Sequence, residues 1–118
     1  MDTNFETFLN DTFTDALENG VRYWASVEEY RWLDENGEPD LKGYHARIRE
    51  NESGKSYAIN REIMAEGVRL IAAGSVPINS HLRRACELAL AGAEDVDIDS
   101  ADADAIVQAG LFAEIVYG

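Results

Sequence analysis

Carboxylates are the side chains with the most chemical potential in this sequence. Its 118 residues hold 23 Asp and Glu against 10 Lys and Arg, a formal net charge of -13. Asp11, Asp15 and Glu18 recur at spacings of four and three, which places them on one side of a helix. Asp95, Asp97, Asp99, Asp102 and Asp104 form a second acidic run. Such clusters could hold a cation, run acid–base catalysis, or present a negative field to a basic partner. For calcium, Asp95, Asp97 and Asp99 stand at the first, third and fifth positions of a helix-loop-helix site. Ser100 replaces the glycine of position six, and Ile106 the bidentate glutamate of position twelve. With the sharp turn and the strongest ligand both missing, a helix start explains the run better. Asp99 would be its cap, with Asp102 and Asp104 in the first turn near the positive end of the dipole. For catalysis, the carboxylates are too numerous for any pair to be singled out as acid and base, so no catalytic residue is assigned.

The other chemical side chains are few. His45 and His81 are the two histidines and Cys86 the one cysteine, without the neighbouring ligands that a zinc site requires. Cys86 lies on an apolar helical stripe, where a buried, inert thiol is expected. No Gly-rich phosphate loop, nucleophile elbow or zinc-binding helix occurs, and no metal or cofactor is expected. A regular strand would set Trp24, Tyr30 and Trp32 on one face, with Ser26 and Glu28 between them. The next strand would add Arg47 and Arg49, making a surface able to stack a nucleotide or anchor a protein. A bulge near Glu28-Glu29 would instead swing one or both tryptophans into the core, the commoner use of large aromatics.

The charge is unevenly placed along the chain. Residues 1–36 carry nine acids, Asp2 among them, against Arg22 and Arg31, and residues 93–118 carry seven acids and no base. The middle segment is nearly neutral, with seven acids and eight bases. An excess of this size self-repels, so it reflects partners or a saline milieu more than the fold. Phosphate backbones and anionic membranes would be repelled, which leaves a basic protein as the expected partner and excludes direct nucleic-acid binding. No apolar stretch approaches the length of a membrane span, and the acidic start lacks a secretory pattern; a cytoplasmic protein is the expectation.

These side chains need elements to position them. Phe5, Phe8, Leu9, Phe13, Ala16 and Leu17 form one helical stripe, capped by Thr3 or Asn4 and stopped by a left-handed Gly20, with Asn10, Asp11 and Asp15 facing outward. Alternation from Val21 to Val27, continuing toward Leu33, predicts a strand. Asn36-Gly37 turns the chain, Tyr44–Arg49 makes a second strand, and a third lies around Tyr57–Ile59. Asn60 caps a helix ending at Gly74, and Asn79 or Ser80 caps another ending at Gly92. A final helix from near Ser100 carries Ile106, Val107, Leu111, Ile115 and Val116. The expectation is one globular α+β domain over residues 1–118. A three-stranded antiparallel sheet packs against about four helices in the order α-β-β-β-α-α-α.

Two segments carry a resemblance: Gly20-Val-Arg-Tyr-Trp24-Ala25 with Tyr30-Arg-Trp32, and the tail from Ala103 to Ile115-Val-Tyr-Gly118. They resemble small acidic proteins of unknown function encoded by bacteriophages of actinobacteria, with Ala113 where those proteins carry glycine. The resemblance implies a phage origin and a host-cytoplasmic setting, and transfers no catalytic residue. Together the readings lead to a non-enzymatic accessory protein binding a basic host or phage macromolecule, in the manner of a DNA mimic. Its field would come from Asp11, Asp15 and Glu18 together with Asp97, Asp99, Asp102 and Asp104. A nucleotide or small-molecule binder built on the Trp/Tyr/Arg face is the second reading. A self-assembling phage component, for instance a homodimer, is the third.

Overall fold

A computed structural model describes residues 3–117, so Asp2 and Gly118 lie outside the described residues. The first apolar stripe forms α1 (Thr3–Glu18), with Leu9, Phe13, Ala16 and Leu17 fully buried. Thr3 and Asn4 sit inside this helix rather than capping it; Asn4 donates to the Gly92 carbonyl at 3.0 Å. Asn10 also departs from expectation: it is buried, because its amide donates to the Asp40 carbonyl of a loop folded across the helix.

Gly20 is not a left-handed stop. It opens a single 3₁₀ turn (Gly20–Tyr23) in place of the expected start of a strand. A Cβ at Gly20 would stand 2.6 Å from the Ser100 carbonyl, so close approach to the last helix explains the glycine. The sheet then follows as β1 (Ala25–Arg31), β2 (His45–Glu50) and β3 (Ser56–Asn60), antiparallel in the order β1-β2-β3. β2 alternates cleanly: Ala46, Ile48 and Glu50 point inward, while His45, Arg47 and Arg49 lie exposed on the outer face.

Asn60 caps α2 (Arg61–Ala72) and Asn79 caps α3 (Ser80–Leu90), each accepting from a backbone amide three residues on; Gly74 and Gly92 follow their ends at φ 77° and 82°. Asp99 caps α4 (Ser100–Phe112) in a reciprocal capping box with Asp102. The fold is therefore α+β in the order α-β-β-β-α-α-α. α4 is its central helix, buried without a break from Ala103 to Ala109, and it crosses α2 where Gly67 and Gly110 face each other's partner backbone. One core cluster draws on every helix and strand, and Cys86 lies fully buried within it. Burial pushes the Cys86 thiol up to about 12. No described helix is long and apolar enough to cross a membrane.

α4 stops earlier than its apolar pattern suggests. Ala113 turns left-handed at φ 57°, and Ile115 and Val116 leave the helix. The Gln108 amide holds the returning tail: its oxygen accepts from the Val116 and Tyr117 amides at 2.9 and 2.8 Å, and its nitrogen donates to the Tyr117 carbonyl at 3.0 Å. At the opposite edge of α1, Glu6 and Arg61 make a two-pronged ion pair at 2.7 and 2.6 Å. The Arg61 guanidinium holds the Glu6 carboxyl below its ordinary range, against the opposing effect of burial.

Candidate functional site

The expected acidic surface divides into groups with different surroundings. Asp11 and Asp15, one turn apart on α1, face Asp95 and Asp97 of the 93–99 strap across a groove of about 280 Å³. Phe8, Thr12, Val96 and Ile98 complete its lining. The strap takes this course because Val96 and Ile98 pack against the core while Asp95 and Asp97, which alternate with them, turn outward; Asp95 adopts a left-handed φ of 54° on the way. Ser100 donates to Asp15 at 2.8 Å, joining the start of α4 to α1. Among the described residues, no ion pair involves Asp11, Asp15, Asp95 or Asp97. Partial burial raises the Asp11 carboxyl above its ordinary value, as expected where a charge loses water without gaining a cation.

Asp97 also borders a second, open hollow with Asp99, Asp102 and His81, so the negative surface runs on to the start of α4. Burial raises the Asp102 carboxyl, against the hydrogen bond it accepts from the Asp99 backbone amide. No cluster of the described residues has the arrangement of a metal site.

Two of the expected patch residues stand apart. Glu18 is exposed at the end of α1, outside the groove lining, where it accepts from the Tyr30 hydroxyl at 3.0 Å. Asp104 is 3% exposed and cannot form part of a partner-facing patch. It accepts from Trp24 Nε1 at 2.7 Å, from the Tyr23 hydroxyl at 2.8 Å and from Gln108 Nε2 at 2.8 Å. Charge-assisted hydrogen bonds of this kind are worth about 1.5–3 kcal/mol each, and burying a carboxylate costs several. Burial prevails, since the Asp104 carboxyl lies above its ordinary value despite the three donors.

The aromatic and arginine set does not form one surface. A bulge between Val27 and Glu29 shifts the register, so Tyr30 pairs with Ala46 on the core side while Arg47 pairs with Glu29. Trp24 precedes the strand and is 3% exposed, stacked on Tyr117 with ring centroids 4.9 Å apart. Trp32 packs partly against the core. Arg47 and Arg49 lie on the opposite, outer face, with Arg49 paired to Glu28 at 3.1 Å. Periodicity could not place Asp95 and His81 beside the patch, because the path of an irregular strap depends on tertiary contacts.

No protein-family model, curated protein or solved structure matches this chain.

Proposed function

We propose that this protein acts by binding rather than catalysis, docking a basic protein segment in the acidic groove between α1 and the 93–99 strap. The observation that carries the reading is the set of four carboxylates, Asp11, Asp15, Asp95 and Asp97, converging on one groove without a paired cation among the described residues. The desolvation of Asp11 is a standing cost that a guanidinium or ammonium would relieve on docking. The apolar floor of Phe8, Val96 and Ile98 would receive the aliphatic stems of the same side chains. The net charge of -13 would speed encounter with a positively charged target. In the finer form of the proposal the target is a host protein's DNA groove, with carboxylates standing in for phosphates; that step leans on the phage resemblance.

The test is a titration with an arginine-rich peptide, comparing Asp11→Asn/Asp97→Asn with Glu35→Gln/Glu52→Gln. Each pair removes two exposed charges, but only the first lies in the groove. The groove variant should lose about tenfold in affinity and the control less than twofold. Equal losses would reduce the interaction to overall charge and end the proposal. Duplex DNA should compete for a natural target if the finer form holds.

A further inference from the structure

The dipeptide Asn-Gly occurs twice, at Asn19-Gly20 and Asn36-Gly37, and the fold gives the two pairs opposite surroundings. Asparagine before glycine is prone to ring closure, because glycine has no Cβ to shield its backbone nitrogen. Asn36 and Gly37 are both exposed, in the 34–39 turn between β1 and β2. Among the described residues no hydrogen bond ties the Asn36 side-chain amide. Gly37 is left-handed at φ 80°, and no atom beyond its adjoining residues lies within 4 Å of where a Cβ would stand. The turn is held through its backbone instead. Asp34 Oδ1 accepts from the Asn36 and Glu38 amides at 2.8 and 3.1 Å, and the Asp34 carbonyl accepts from the Gly37 amide at 3.1 Å. Asn19-Gly20 is closed in. The Asn19 side chain donates to Asp15 Oδ1 at 3.1 Å, and its backbone amide to the Asp15 carbonyl at 3.0 Å. Gly20 is buried against α4, where an added Cβ would meet the Ser100 carbonyl at 2.6 Å and the Asp104 amide nitrogen at 3.2 Å.

From this contrast we infer that Asn36 is a site of spontaneous covalent modification, converting to aspartyl and isoaspartyl forms while Asn19 in the folded protein stays intact. The Gly37 backbone nitrogen, its proton passed to water, attacks Asn36 Cγ. The new C–N bond closes a succinimide ring as the Cγ–Nδ2 bond breaks, and the side-chain nitrogen takes up a proton and leaves as ammonia. Water then opens the ring at either carbonyl. Opening at Cγ gives aspartate, and opening at the main-chain carbonyl gives isoaspartate, with the chain routed through Cβ. The net change replaces an amide NH₂ by a carboxylate oxygen and adds one negative charge to a chain already at -13. Closure needs the Asn36 side chain to swing over the Gly37 nitrogen, at the cost of one backbone hydrogen bond. At Asn19 the same movement must break a side-chain bond and lift a glycine away from α4. Carboxylates neighbour both pairs, Asp15 and Glu18 in one case and Asp34, Glu35 and Glu38 in the other. They disfavour the amide anion at both, so access selects the site and charge does not.

The test incubates the intact protein at mildly alkaline pH and follows its peptides by mass. Tryptic peptides 1–22 and 32–42 report the two sites separately, with fragmentation to assign the residue. Loss of Asn36 should run about tenfold or more ahead of loss of Asn19, because reaction at Asn19 waits for local opening. In urea above the unfolding midpoint the two rates should converge to within about threefold, since the fold no longer distinguishes the pairs. A protein isoaspartyl methyltransferase with a labelled methyl donor gives a second readout. The aged folded protein should accept methyl groups, and Asn36→Gln should abolish most of that acceptance while leaving the thermal midpoint unchanged. A native lead for Asn36 below about threefold, a preference as large in urea as in the folded state, or undiminished methyl acceptance by Asn36→Gln would overturn the inference. Asp11, Asp15, Asp95 and Asp97 take no part in this chemistry, so the groove proposal stands or falls separately.

Discussion

Ala113 shows how much one side chain can change the course of the chain. Its left-handed backbone, φ 57°, ends α4 in a conformation that costs a residue with a Cβ about 1–2 kcal/mol. Gln108 compensates by binding both amides and a carbonyl of the tail beyond it. Glycine would adopt the same turn without strain and lose somewhat more freedom on folding. Ala113→Gly is therefore expected to raise stability by about 0.5 kcal/mol, read as a higher urea midpoint at unchanged slope. A lower midpoint would show that the turn is not strained. The same residue explains a misread boundary: alanine is a strong helix former, and only the capture of the tail by Gln108 reveals that the helix stops. The burial of Asp104 escapes the sequence for a related reason. In the first turns of a helix, a solvated aspartate and a buried one have the same sequence signature, and the donors that admit Asp104 to the interior, Tyr23 and Trp24, are eighty residues away.

At the scale of elements, what was legible was what is local. The helical stripes as far as Leu111, the Asn60, Asn79 and Asp99 caps and the strand alternation of β2 follow from neighbouring residues, and these stand in the structure. The 3₁₀ turn before β1 depends on helix proximity, which no local pattern encodes. The bulge weighed at Glu28-Glu29 does stand, between Val27 and Glu29, and Trp24 is buried as that alternative has it, so the aromatic face is lost. The segment from Gly20 to Ala25 and the end of the chain from Ala103 to Tyr117 meet here: Tyr23 and Trp24 bond Asp104, and Trp24 stacks on Tyr117. What they share is a joint between the 3₁₀ turn, α4 and the tail. The α2–α4 crossing makes a sharper demand. A Cβ at Gly110 would lie 2.2 Å from the Ile63 carbonyl, and one at Gly67 would lie 2.1 Å from the Ile106 carbonyl. Alanine is favoured over glycine in a helix by about 1 kcal/mol, but separating two packed backbones costs more. Gly110→Ala should destabilise the protein by about 2 kcal/mol on chemical denaturation. An unchanged midpoint would mean that the helices can part freely.

The whole molecule is a slab of about 38 × 36 × 19 Å carrying a net charge of -13. Across so thin a body, charges on opposite faces lie within about two Debye lengths at 0.1 M salt, where the screening distance is roughly 10 Å. Raising sodium chloride to 1 M shortens that distance to about 3 Å and removes most of the self-repulsion. The thermal midpoint should rise by about 5 °C between these conditions. A flat or falling midpoint would show that the carboxylates are already compensated. The opposite dependence is expected for docking in the groove, so one ionic-strength series separates folding from binding.

Cys86 turns the buried centre into a clock. Its sulfur is sealed in and held in the unreactive thiol form, so an alkylating reagent must wait for the protein to open. The alkylation rate of the unmodified chain then measures how often its interior is breached. A dye maleimide aimed at a cysteine introduced on the surface would find that site first, leaving the native sulfur untouched for as long as the fold holds.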